Sequence, residues 1–560
     1  MLSKISLSIV QCQLYLGILL WFFIPDPNTC FAQERPNFIF ILTDDQPYGY
    51  LGCTGNSIVQ TPNLDNLAAE GMLFTNAHVT SAICTPSRAS ILLSQFERKH
   101  GVNFNSGTSL SEEAWNTSYP VVMKRNGYYT GWIGKNHVPV GEGGYSGGLM
   151  EKSFDYWYGG HGHLSFYPKS RHEIFARASD NTQVEIITEG VQDFLSDNKK
   201  FLLAKKFLEE RPSKKPFVLS VCFNLPHGAG TSTMKQKGSD PEIYKSLYRD
   251  KTIPLPNHYI AKKDITTPKL PHDLMHVEDR QKSYDYVDTP ETLRETYIRQ
   301  LQAMTGIDQF VGKLRESLEQ EGLAENTIII FTSDHGLFMG QFGLGGKALC
   351  YEQTTHVPLI IYNPFAKKRQ KGMRSDELVQ TIDIAPTLLA MSNIEIPETY
   401  QGKDLSSSMA DNKIRLREYL FTENLWSTHF GNPRCESVQS KKWKYIRYYR
   451  NNNISVQYLK DAAKQLGIPQ NKMLYEVHDH QIAVYRSFIE SPLNGEKAVY
   501  EELYDLETDP SESENLAADP KYLKKIQQLR QVWKREITYA RGTDDPEVCR
   551  YTFDNGGSSK

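Results

Sequence analysis

Long hydrophobic runs are nearly absent from this chain. The one that stands out, Leu14 to Ile24, is shorter than the roughly 20 apolar residues needed to cross a bilayer. It follows Lys4 and precedes Pro25, with Cys30-Phe31-Ala32 ahead of Gln33. An early positive charge, a short apolar segment and small residues at the cleavage positions describe a secretory signal cut after Ala32, which makes the mature protein secreted or periplasmic. Position and flanks disfavour a buried core helix there, and Pro27-Asn28-Thr29 lacks the residues expected before a lipidated Cys30. Cysteine is scarce as well: eight in 560 residues, at positions 12, 30, 53, 84, 222, 350, 435 and 549, with no CxxC pair. A disulfide scaffold, a zinc ribbon and a thioredoxin-type redox site are thereby excluded. Charge of one sign is missing too, with 63 basic against 66 acidic side chains, so the chain does not coat a polyanion through a basic surface. There is no internal repeat, and low complexity is confined to Gly556-Gly557-Ser558-Ser559.

What is present is enough for a sizeable core, since 39% of residues are hydrophobic and 23% charged. Short apolar runs alternate with helical patterns, the rhythm of an α/β domain with a mostly parallel sheet between helices. Strands are expected at Asn37 to Leu42, Tyr129 to Ile133, Phe217 to Phe223, Thr327 to Thr332 and Val357 to Tyr362. Helices are expected at Asn63 to Glu70, Pro86 to Ser94 and Glu291 to Glu321. Gly228 to Asp288 is polar, without period, and reads as a long surface excursion. After Gln401-Gly402-Lys403 the character changes. Ser406-Ser407-Ser408 with Asp411-Asn412 reads as a linker, followed by an aromatic strand at Trp443 to Tyr449 and a late helix near Tyr522 to Tyr539. The expected organisation is a signal at 1–32, a catalytic α/β domain at 33–405 and a smaller α+β unit at 406–560.

Unusual polar groups stand at the strand ends. Thr43-Asp44-Asp45-Gln46 follows the first strand and Thr332-Ser333-Asp334-His335-Gly336 the fourth, and ligands of open α/β sheets collect at carboxyl ends of strands. Adjacent carboxylates repel unless a cation lies between them. Three Asp and one His suit calcium, or magnesium, better than zinc. The alternative for Asp44-Asp45 alone is a solvated turn. In Ile83-Cys84-Thr85-Pro86-Ser87-Arg88, Pro86 fits a first helical turn and places Cys84 among free N–H donors, which favours a thiolate or a bound anion. Arg88, one turn on, can fork onto a tetrahedral oxyanion. A buried inert thiol is the default for such a cysteine in isolation.

Cys84-x-Pro86-Ser87-Arg88 before an apolar helix resembles the signature of the formylglycine-dependent sulfatases, type I sulfatases of the alkaline phosphatase-like superfamily. The likeness extends in order through Asn37 to Asp45, Thr61-Pro62-Asn63-Leu64-Asp65, Gly134-Lys135-Asn136-His137, Pro226-His227, Gly346-Lys347 with Glu352 and Val357-Pro358, and Leu503-Tyr504-Asp505-Leu506. It implies an alkaline phosphatase-like large domain, and oxidation of Cys84 to an aldehyde by a formylglycine-generating enzyme or an anaerobic maturase. It also implies one divalent cation held by Asp44, Asp45, Asp334, His335 and residue 84. In the mechanism it carries, a hydroxyl of the hydrated aldehyde attacks sulfur, with Asp334 as proton acceptor. Arg88, Lys135 and Lys347 stabilise the sulfuryl oxygens, His227 protonates the leaving alcohol, and His137 takes the proton that expels sulfate. The family often reads Thr-Gly-Arg where this chain has Leu93-Ser94-Gln95, and Trp is common where Asn136 stands. For Asn224, Glu352, His356 and the aromatic Tyr156 to His163, structural and substrate-binding roles are equally open. Exported sulfatases of this kind suit a sulfated saccharide such as ulvan, carrageenan or a glycosaminoglycan. The competing readings are a phosphoester or phosphonate monoester hydrolase of the same superfamily and a non-catalytic carbohydrate-binding relative. A two-zinc phosphatase is disfavoured by Cys84 at the nucleophile position. With Cys12, Cys30 and Cys84 set aside, five cysteines remain, so at least one lacks an intramolecular disulfide partner, and no pairing is legible.

Overall fold

The structure is a computed structural model. It describes residues 35–103, 108–141, 144, 148–160, 203–227, 246–275, 284–367, 370–411, 413–425, 432–450, 490–543 and 548–550. The expected signal, His161 to His163 and the terminal Gly/Ser tract lie outside them. Every element below belongs to the compact unit Pro36–Lys560.

Eight strands form the main sheet. They are β1 (Asn37–Asp44), β2 (Met72–His78), β3 (Tyr129–Lys135), β4 (Tyr156–Gly160), β5 (Phe217–Pro226), β6 (Thr327–Ser333), β7 (Leu359–Tyr362) and β8 (Met373–Gln380). Their order is β8-β2-β7-β6-β1-β5-β3-β4. Only β7 runs antiparallel to its neighbours. Alternation along β1 divides the core: Phe38, Phe40 and Leu42 enter one apolar layer, Ile39 and Ile41 the other. The first layer is closed by α2 (Cys84–Leu93) and α5 (Ile384–Met391), the second by α1 (Pro62–Glu70) and α3 (Pro290–Gln320). Thr289 caps α3 by accepting from Thr292 N at 3.2 Å, with Pro290 at the first helical position.

Each strand expected from sequence is present, with shifted ends. Val357 and Pro358 precede β7 instead of opening it; Val357 N donates to Ala77 O at 2.9 Å, and Pro358 has no N–H to give a ladder. β2, β4 and β8 carry no clean apolar run. In MRSDELVQ, Arg374 and Asp376 lie exposed on the sheet edge, so the strand hides its period.

The smaller part is an antiparallel sheet of β9 (Leu420–Asn424), β10 (Arg434–Gln439), β11 (Trp443–Tyr449) and β12 (Tyr500–Asp505) in sequential order. Against it lies α6 (Leu523–Arg541), which buries Ile526, Leu529, Val532, Trp533 and Ile537 at helical spacing beside Phe421, Val438, Tyr445 and Leu503. The expected β11 and α6 are thus in place. Among the described residues no helix is long and apolar enough to cross a membrane.

Candidate active site

The sheet register assembles the site. Thr43 pairs with Ser333, so β1 and β6 end side by side, and Asp334 N donates to Thr43 O at 3.0 Å. Asp44, Asp45, Asp334 and His335 therefore leave adjacent strand ends together, all buried. Asp45 takes a left-handed conformation, φ 60°, and its N–H donates to Asp334 Oδ1 at 3.2 Å. Ser333 Oγ accepts from Gln46 N at 3.1 Å, which fixes the turn. On the other side of β1, Asp44 pairs with Pro226, which sets His227 just past the end of β5. β3 delivers Lys135 through Gly134, φ 92°, where a Cβ would collide with Cys222 O.

Helix α2 starts at Cys84, two residues earlier than Pro86 suggested, and Pro86 then falls within the first turn, where its missing N–H is harmless. Cys84 Sγ lies 3.2 Å from His335 Nε2 and 3.7 Å from Asp44 Oδ1, and it accepts from Lys347 Nζ at 2.9 Å. Lys347 Nζ also reaches Asp45 Oδ1 at 2.9 Å. Its loop is pinned by Ala348 N donating to Ala82 O at 3.0 Å, and by Asn432 Nδ2 donating to Lys347 O at 3.1 Å. Lys135 Nζ pairs with Asp44 Oδ2. Arg88 Nε donates to Asp334 Oδ2 at 2.8 Å, and Nη2 stands 3.9 Å from Asp44 Oδ2, with no hydrogen-bond acceptor among the described residues. A buried guanidinium nitrogen of this kind suits an anionic oxygen.

Charge balances tightly here. Burial alone would raise the Asp45 carboxyl, but His227, Lys347 and His335 outweigh it and hold the group below the usual range. Burial would lower His335, yet Asp334 and its other anionic neighbours bring it up to about 9. Burial likewise opposes charge on Lys347, and Asp45 and Cys84 hold it well above the ordinary lysine value. His227, with Nε2 3.5 Å from Asp45 Oδ2, is pushed down to about 4 by burial.

One ligand atom each from Asp44, Asp45, Cys84 and His335 falls within 4.8 Å of the others. The Lys347 ammonium, seated between Asp45 Oδ1 and Cys84 Sγ, already shows that these donors gather a cation. His335 Nδ1 lies 2.9 Å from Gly336 O, so a ring that gives up its proton to a metal keeps Nδ1–H on that carbonyl and presents Nε2 to the cluster. Asp334 stands at its edge, Oδ1 3.6 Å from His335 Nε2. The residues fit a divalent cation.

Asp44, Asp45, Cys84, Arg88, Lys135, His227, Asp334, His335 and Lys347 are thus joined by direct contacts. His137 is buried two residues beyond Lys135 at φ 47°, its N–H held by Asn136 Oδ1 at 2.5 Å. Glu352 and His356 pair with each other and belong to a separate cluster with His78. The supports that sequence reading missed, Asn424 and Asn432, come from remote segments. Asn424 Oδ1 accepts from Ala82 N at 2.9 Å, steadying the approach to Cys84. A lone Asn in a polar stretch carries no signal of such a role.

Residues 36–394 match the sulfatase family, and 340–480 match the C-terminal part of N-sulphoglucosamine sulphohydrolase. An N-acetylglucosamine-6-O-sulfatase of Bacteroides thetaiotaomicron is 25% identical, over 92% of this chain and 88% of that protein. An ulvan-active sulfatase of Formosa agariphila is 27% identical, over 80% and 82%. Two solved structures share the fold, each with a TM-score of 0.64. One was determined with its substrate D-glucosamine-2-N,6-O-disulfate, at 22% identity over 92% of this chain and 99% of that one. The other is the phosphonate monoester hydrolase of Silicibacter pomeroyi, at 20% identity over 91% and 96%. With the family match spanning most of the chain and the cysteine helix, acidic strand ends and basic side chains meeting at one point, this chain belongs to the sulfatase family of the alkaline phosphatase-like superfamily and is a sulfuric ester hydrolase.

Proposed function

We propose that this sulfatase is exported and removes sulfate from a sulfated carbohydrate, with Cys84 converted to formylglycine by a maturation enzyme and one divalent cation, calcium in preference to magnesium. The observation that carries the reading is the surroundings of Cys84 Sγ. A lysine ammonium lies at 2.9 Å and an imidazole at 3.2 Å, with Arg88 Nη2 buried nearby and lacking an acceptor. Asp44, Asp45, Asp334, His335 and residue 84 would hold the cation. An aldehyde hydrate at residue 84 adds oxygen where Cys84 offers sulfur, and an oxygen-dominated set is what calcium prefers. The bound cation and the hydrate together supply an activated hydroxyl nucleophile and neutralise sulfuryl charge.

The protein's own residues do the rest. Arg88 and Lys347 bind and orient the sulfuryl oxygens, and Lys135 adds positive charge beside Asp44. His227, neutral in the free site, is drawn toward its protonated form by an arriving anion, and it then donates to the leaving alcohol oxygen. His137 accepts the proton that resets the site, and Asp334 takes the nucleophile's proton. A cavity of about 450 Å³ is lined by Pro47 and Leu337, each two residues from a cluster acid or imidazole, and by Tyr50, Arg294 and Tyr297. Rings and a guanidinium suit sugar faces and a second acidic group. Ile253 to Asn257 of the polar excursion line it too. Algal polysaccharides such as ulvan or carrageenan, and glycosaminoglycans, are the substrate classes to screen for sulfate release.

The phosphonate monoester hydrolase fold matches equally well, so chemistry must separate the two readings. With matched aryl sulfate, phosphate and phosphonate esters, kcat/KM is expected to be highest for the sulfate. Faster turnover of the phosphonate would replace the proposal with that reading.

A further inference from the structure

Outside the catalytic cluster, a second set of metal-ligating side chains converges. His78 ends β2, and Glu352 and His356 lie one helical turn apart across α4 (Glu352–Thr355). The backbones of His78 and His356 form an antiparallel bridge, locked by Val79 N donating to Thr355 O and Val357 N to Ala77 O, both at 2.9 Å. Glu352 Oε2 lies 3.4 Å from His356 Nδ1 and 3.9 Å from His78 Nε2, and the three ligand atoms are all within 4.8 Å of one another. At zinc bond lengths of about 2.0 to 2.2 Å, tetrahedral ligand atoms stand roughly 3.3 to 3.5 Å apart. One pair already fits; the His78 and His356 rings lie stacked, centroids 4.8 Å apart at 12°, with Tyr48 on the other face of His356, so closing the other pairs turns both rings out of that stack.

Each ligand also has the support that metal sites use. His356 Nε2 lies 2.9 Å from Thr75 O and His78 Nδ1 lies 3.3 Å from Thr355 Oγ1, contacts that leave the facing nitrogens as acceptors. Glu352 Oε1 is held by Lys444 Nζ and Gln439 Nε2, each at 2.8 Å, which directs Oε2 to the rings. Lys444 also binds Glu512 Oε1 at 2.7 Å, so the buried Glu512 and the half-buried Glu352 share one ammonium. Gln439 Nε2, at 3.4 Å, is a long contact competing for the His78 lone pair. The His356 and Glu352 side chains are 18% and 20% exposed, which gives an ion a route in and leaves an outer position for water.

We propose that His78, Glu352 and His356 form a second metal site, of zinc type, distinct from the catalytic centre. The site ties β2 to the segment that follows Lys347, so zinc stiffens the frame behind the catalytic loop.

The test uses the full chain in a Cys84→Ser background, stripped with chelator and titrated with zinc chloride alone. Up to two zinc ions per chain are expected, one of them at the catalytic cluster and one lost in the variants below, the variant-sensitive ion showing imidazole nitrogen and carboxylate oxygen but no sulfur by X-ray absorption, together with a raised melting temperature. His356→Asn and Glu352→Gln should each weaken zinc about 100-fold and abolish the melting shift, while their circular dichroism matches the parent. Should either variant unfold, His78→Gln provides the same readout. Undiminished zinc binding in these variants, no zinc binding at micromolar concentration in the parent, or a melting shift produced by calcium and not zinc would overturn the proposal.

Discussion

Arg88 connects the acidic strand ends to the space a sulfuryl group would fill, with one nitrogen committed to Asp334 and another lacking an acceptor. Arg88→Lys keeps the charge and loses the fork, so kcat/KM should fall about 100- to 1000-fold while the circular dichroism is unchanged; a loss under tenfold would remove Arg88 from oxyanion binding. His227 has a sharper signature. A general acid matters in proportion to how badly the leaving group needs a proton. His227→Gln should therefore cost about 100-fold or more on a sugar sulfate and little on 4-nitrophenyl sulfate, compared by kcat/KM on both. Equal losses would assign His227 to binding. These residues were legible in sequence because short motifs hold them at fixed spacing from a strand or helix end. Asn432 and Asn424 were not, since their partners are backbone groups far along the chain, and nothing local marks them.

Helix α2 ends where the family often carries glycine. Ser94 stands there at φ 54°, a left-handed residue that costs about 1 to 2 kcal/mol for a side-chain-bearing residue. Its hydroxyl donates to Ile382 O at 2.7 Å and accepts from Gly402 N at 3.0 Å, together worth about 1 to 3 kcal/mol. The hydroxyl thus offsets the strain. Ser94→Ala, which keeps the strain and loses both bonds, should lower stability by about 1 to 3 kcal/mol, and Ser94→Gly by clearly less, as read from urea midpoints. Equal midpoints would show that the backbone conformation carries no cost. Strands β1, β5 and β6 were readable from continuous apolar runs, as fully buried parallel strands must be. β8 and β10 were not, because exposed or paired charges interrupt the pattern and only tertiary neighbours decide their state.

Across the whole molecule, buried charge joins the smaller sheet to the large domain. Arg98 pairs with Glu423 on β9 and Glu436 on β10, all three buried. Arg98→Met leaves two carboxylates without it and should cost about 3 to 5 kcal/mol, seen as a lowered melting temperature; a change under 1 kcal/mol would mean the two parts hold together without the triad. Acid stability has a separate source. Burial holds His100 down to about 3, whereas the unfolded chain protonates it near 6.5. Its contribution is complete above about pH 6.5 and is lost as pH falls toward 3, by about 1.4 kcal/mol per unit. Urea midpoints at pH 7, 6 and 5 should decline, and His100→Gln should make the decline shallower by its share, since His78 and His227 are held down in the same way. The central claim rests on Cys84. The direct measurement is inorganic sulfate released from a sulfated oligosaccharide by the matured protein and by Cys84→Ala, with the mass of the residue-84 peptide recorded. Wild type should release sulfate and carry the aldehyde mass at residue 84, and Cys84→Ala should release none; full turnover by Cys84→Ala would contradict the account.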